Sequence, residues 1–108
     1  MSEHVFDRQK WAGMTIFEQM GNIGSEVGRA LRAKAHGDNE SLQGAFYRGL
    51  DLFDATAEVW AAQRSPRTTE ILRAREQFVQ AIVTSKVDLK LEDYFTQYAI
   101  VARMRQLA

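Results

Sequence analysis

The stretch QMGNIGSEVGRAL, residues 19–31, decides how the chain is read. It sets Gly21, Gly24 and Gly28 inside a pattern that is otherwise helical. Glycine in a helix interior costs about 1 kcal/mol relative to alanine, so this grouping requires a reason. It is not the G-x-G-x-x-G dinucleotide fingerprint, which opens a helix directly after a strand, and no strand pattern precedes it. The lysine and serine/threonine that end a phosphate-binding P-loop are missing as well. Mid-helix N–H groups are already bonded, so a phosphate cradle is not expected. At about 100° per residue, Phe17, Gly21, Gly24, Gly28, Leu31 and Ala35 form one line. It lies beside a stripe of Ile16, Met20, Ile23, Val27 and Ala30. The line reads as a thin packing face that lets a neighbour approach the helix axis. That neighbour is the second helix with its small Gly44, Ala45 and Gly49, an aromatic of the last helix, or the same groove on a second copy. The contact within one chain is preferred.

Working outward, TIFE at 15–18 is a capping box, with the Thr15 hydroxyl and the Glu18 carboxylate opening the first helix. Gly37 suits its end, because glycine tolerates the left-handed conformation. Asp38 caps a second helix with a stripe of Leu42, Phe46, Gly49, Phe53 and Trp60, widened by Ala45, Leu50 and Ala57. Ser65-Pro66 opens a third, serine at the cap and proline in the first turn, burying Ile71, Leu72, Ala74, Phe78, Val79 and Ile82. After the polar connection TSKVD (84–88), the fourth turns Leu91, Tyr94, Phe95, Tyr98, Val101 and Ala102 inward, while Met104 and Leu107 extend its apolar surface. The fold class expected is all-α, an up-and-down antiparallel four-helix bundle over residues 15–108. Residues 1–14 form an N-terminal extension, a tail or a short extra helix anchored by Phe6 and Trp11.

Composition narrows the chemistry. A chain of 108 residues holds one hydrophobic core, and 45% apolar with 26% charged residues is ordinary globular usage. Fourteen basic and fourteen acidic residues cancel, so there is no general attraction to nucleic acid or an anionic membrane. Without cysteine there is no disulfide, thiolate metal site or cysteine nucleophile. No apolar run approaches the length of a membrane span, and no apolar signal segment opens the chain. A cytoplasmic protein with no membrane partner is expected.

Histidine occurs only as His4 and His36, and no Glu-x-x-His or His-Glu-x-x-His pattern exists, so no metal and no cofactor are expected. A serine elbow is also missing. His36 sits where an imidazolium meets the negative end of the first helix. Arg29 and His36 are seven apart, and this spacing resembles the loose R-x4–6-H signature of HEPN-type ribonucleases, small helical bundles in which the motif lies later in the chain. The resemblance implies an alternative in which Arg29 and His36 are catalytic and the arginines of the third and fourth helices hold RNA. Tyr47, Asp51, Asp54 and Glu58 line the second helix, and Arg64, Arg67, Arg73 and Arg75 cluster around the third. These read as solvated faces with local pairs Glu26–Arg29, Arg48–Asp51 and Arg73–Glu76. Arg29, Arg48, Asp51, Arg73, Arg75 and Arg103 are the candidate partner-binding residues. Nucleic acid is not favoured, since net basicity and exposed stacking aromatics are lacking.

The segments FEQMGNIGSEVGRA (17–30), GAFYRGLDLFD (44–54), EILRARE (70–76) and YFTQYAIVAR (94–103) resemble a group of small uncharacterised bacterial and archaeal proteins. That resemblance implies a prokaryotic, cytoplasmic, all-helical protein and brings no catalytic residue with it. The function expected is a non-catalytic interaction module that self-associates, most simply as a homodimer, because the first and last helices carry more apolar surface than one bundle can share. Besides the HEPN-like alternative, a third reading is a small-molecule site between helices lined by Trp60, Phe78 and Tyr98.

Overall fold

Local chemistry sets where each helix begins and ends. The computed structural model describes residues 7–84 and 89–107. Among these, every regular element is a helix: α1 Arg8–Ala12, α2 Ile16–Ala35, α3 Asn39–Ala62, α4 Arg67–Val83 and α5 Leu89–Leu107. The Thr15 hydroxyl accepts from the Glu18 N–H at 3.1 Å while the Glu18 carboxylate accepts from the Thr15 N–H at 2.9 Å, closing the capping box of α2. Asp38 accepts from the Ser41 N–H at 3.1 Å and starts α3. Helices α2 and α3 end alike. The Asp38 N–H reaches back to the Ala33 carbonyl at 2.9 Å across Gly37, and the Ser65 N–H reaches the Trp60 carbonyl at 3.0 Å across Arg64. Gly37 has φ +70° and Arg64 φ 54°, so the second turn holds an arginine in the left-handed region at a cost of about 1 kcal/mol. Pro66 takes the cap position of α4 itself, one place before the first-turn position expected, and the Ser65 hydroxyl accepts from the Arg67 N–H at 3.1 Å.

Helix α2 is the centre of the molecule, packing against α3 on one side and α5 on another, while α4 lies mainly on α3. Its stripe of Met20, Ile23, Val27 and Ala30 is fully buried, and Phe53, Phe78 and Phe95 complete the core. The three phenylalanines connect α3, α4 and α5: ring centroids are 5.9 Å apart for Phe53–Phe78 and 5.8 Å for Phe53–Phe95, with Phe46 at 5.3 Å from Phe78. Burying a ring of this size contributes about 1.5–3 kcal/mol. Lys34 satisfies the open end of α4, its ammonium donating to the carbonyls of Ala81 and Thr84.

The short helix α1 is held by polar contacts within apolar surroundings. The Trp11 indole N–H donates to the Thr56 hydroxyl at 2.8 Å, and that hydroxyl donates to the Leu52 carbonyl at 2.7 Å. Gln19, with no exposed surface, donates to the Trp11 carbonyl at 2.8 Å and accepts from the Trp60 indole at 2.7 Å. One side-chain amide thus joins α1, α2 and α3, and burial is tolerated because both ends are bonded.

Three expectations need correction. Leu72 and Val101 point outward, 50% and 36% exposed, because α4 and α5 bury narrower stripes than their apolar residues would allow. Ala35, at the end of the glycine line, is exposed. His4, Phe6 and the connection at 85–88 lie outside the described residues.

Candidate functional site

The seven-residue step from Arg29 to His36 brings both to one side of α2, where the helix ends beside the start of α3. An open groove of about 740 Å³ lies there, lined on the α2 side by Arg29, Arg32 and His36 and on the α3 side by Glu40, Ser41, Gly44 and Arg48. Two of its arginines are held by Glu26, which is only 9% exposed. One carboxylate oxygen of Glu26 accepts from Arg29 Nη1 at 3.1 Å and the other from Arg48 Nε at 3.0 Å. Removing either arginine would leave a nearly buried carboxylate short of a partner, so this clamp ties α2 to α3 as well as shaping the groove.

Glycine enters this region in a way the packing reading does not anticipate. A Cβ on Gly28 would sit 3.1 Å from Arg32 Nη1, and a Cβ on Gly44 would sit 3.1 Å from Arg48 Nη1. Each arginine folds back over the glycine four positions earlier, as long helical side chains do. Gly28 also faces Glu92, whose Oε2 would be 3.6 Å away.

The other glycines meet the packing expectation. A Cβ on Gly24 would be 2.5 Å from Phe95 Cβ, and one on Gly21 would be 3.3 Å from Ala99 Cα. The seam is therefore internal, and its neighbour is α5, running antiparallel to α2. Gly49 takes the Phe78 ring, 2.9 Å from where a Cβ would stand. Phe17 lies at the open end of the seam under the Arg105 guanidinium, 4.7 Å from ring centroid to Cζ.

A second polar cluster joins α4 to α5. The hydroxyls of Tyr94 (2.7 Å) and Tyr98 donate to one oxygen of Glu70. The Tyr98 and Tyr94 hydrogen bonds hold the Glu70 carboxyl below its ordinary value, against a smaller opposing effect of burial. Burial, and then bonding within the cluster, pushes both phenols up. Such tyrosines are poor proton donors, and the cluster reads as a structural tie.

The remaining candidates disperse. Arg75 pairs with Asp54 at 2.9 Å, and Arg103 lines a shallow groove over Gly21 at the α2–α5 seam. Arg73 lies on the exposed side of α4, with the Glu70 charge as the neighbour it influences. Among the described residues the pairs Arg48–Asp51 and Arg73–Glu76 do not form: Arg48 turns to Glu26, and Glu76 accepts instead from Gln80. Arg29 and Arg48 thus meet in the groove, and Arg73, Arg75 and Arg103 do not join them. The three aromatics proposed for a small-molecule site also separate. Phe78 is in the core, Trp60 bonds Gln19, and Tyr98 bonds Glu70. Glu26 and Arg32 were missed by sequence reasoning, which assigned Glu26 to a surface pair. The only signal was its i,i+4 placement before Ala30 on the buried side.

Among the described residues no group of three or more His, Asp or Glu could hold a metal ion, and no helix is long and apolar enough to cross a membrane. Comparison with protein-family models, curated proteins and solved structures gives no match to this chain.

Proposed function

We propose that the chain is a non-catalytic, self-associating helical module whose copies meet through the outer face of α5, and that α2–α5 form an up-and-down four-helix bundle with α1 laid across it. The observation that carries this reading is one stripe on α5. Ile100, Val101, Met104 and Leu107 recur at helical spacing and are 53%, 36%, 65% and 77% exposed. Opposite them, Leu91, Phe95 and Tyr98 face the rest of the molecule. Apolar residues thus occupy two sides of α5, and among the described residues only one of these is covered.

A second copy is the occupant favoured by charge. The protein has no net charge, so copies do not repel. A cytoplasmic, prokaryotic setting goes with this reading through the resemblance noted above. Light scattering after size-exclusion chromatography should give a dimer at micromolar concentration that Met104→Glu converts to a folded monomer. A parent protein that stays monomeric across that range overturns the proposal.

A further inference from the structure

We infer that the groove between the second half of α2 and the first half of α3 binds a small oxyanion, a phosphoryl-bearing molecule about the size of pyrophosphate. The arrangement over Glu26 supplies the first argument. A nearly buried carboxylate holds two arginines whose side chains are 58% and 46% exposed. Two guanidiniums share one carboxylate, so one positive charge is left over. Arg29 bonds through Nη1 and Arg48 through Nε, which leaves further N–H donors on both forks, and both residues line the groove. Their planes are already fixed, so a ligand need not order two long side chains.

Arg32 supplies the second. It lines the same groove, and among the described residues its guanidinium makes no hydrogen bond or ion pair. The three arginines come from two helices and present forks that match the oxygens of a phosphoryl group. His36 and Ser41 line the same walls. The acidic groups nearby are Asp38 and Glu40 in the groove lining and Glu92, which faces Gly28 beside the Arg32 tip, and they set the limit on size. Asp38 is committed to the Ser41 N–H at the start of α3, and Glu40 stands on the rim, where an extended polyanion would meet its charge.

The test is calorimetric titration of the full chain with sodium pyrophosphate at low ionic strength. Saturable one-to-one binding is expected, weakened by added salt. Arg32→Gln removes a side chain with no structural partner, so its circular dichroism should match the parent while affinity falls about tenfold. Met104→Glu should bind as the parent does, because the groove lies within one protomer and does not depend on the α5 face. The proposal is overturned by the absence of saturable binding at millimolar pyrophosphate, or by an Arg32→Gln isotherm identical to the parent's. Binding of a long single-stranded RNA with none of pyrophosphate overturns it as well.

Discussion

The two sides of α5 are similar in composition and opposite in fate. The inner side brings Leu91, Phe95, Ala99 and Ala102 toward α2, where Gly21 and Gly24 remove every side-chain atom that would hold the helices apart. The outer side offers Ile100, Val101, Met104 and Leu107 to solvent. What distinguishes them is the partner's shape. A thin partner converts one apolar stripe into a seam, and the other stripe has no such partner among the described residues. Apolar pattern marks surfaces that can be covered, and only the complementary surface decides which one is.

The sharpest way to break the comparison is to empty the seam from the α5 side. Phe95→Ala, at a ring in contact with both Gly24 and Phe53, should cost about 3–5 kcal/mol in urea denaturation. Filling it from the α2 side should cost less. Gly24→Ala pushes a methyl to 2.5 Å from Phe95 Cβ and should lose about 1–3 kcal/mol through overpacking. The same change at Gly28 meets only the flexible tip of Arg32, so the helix-propensity gain of up to about 1 kcal/mol should dominate and raise stability. Equal effects at the two glycines would mean that both belong to one packing face.

A smaller effect concerns the tie at the edge of the seam. The Glu70 carboxyl is lowered in the fold, so its contribution is complete above the ordinary value of 4.5 and is lost as pH falls below it. The phenols of Tyr94 and Tyr98 are raised, so theirs is complete below 10 and is lost as pH rises beyond it. Thermal unfolding across pH should show both limbs, and Glu70→Gln should weaken the acid one, to which the lowered Glu18 and Asp38 carboxyls also contribute. Smallest for the fold is Met104→Glu on the outer side, expected to change unfolding free energy by less than about 0.5 kcal/mol while abolishing the proposed self-association.

How much of this was legible in the sequence follows from what kind of interaction each residue makes. Thr15, Glu18, Gly37 and Asp38 act within a few residues of themselves, and their roles could be read directly. The stripes of α2 and α3 were legible for the same reason, since a buried helix face repeats along one axis. Leu72 and Val101 were misassigned because periodicity gives the direction of a face without its width. The glycines divide for a reason that no spacing shows. Gly21 and Gly24 answer to α5, whereas Gly28 and Gly44 answer to arginines one turn later on their own helices. Glu26 was hidden among surface charges because its second partner, Arg48, lies on the next helix. The groove is built from such cross-helix contacts, so it could not be seen in one dimension.

The buried amide of Gln19 has an optical consequence. It touches both tryptophans of the chain, accepting from the indole of Trp60 and donating to the backbone of Trp11. The intrinsic fluorescence of the molecule therefore comes from one neighbourhood, where α1, α2 and α3 meet. The emission spectrum is a built-in gauge of how α1 sits on α2 and α3, while events at the outer side of α5 take place out of its view.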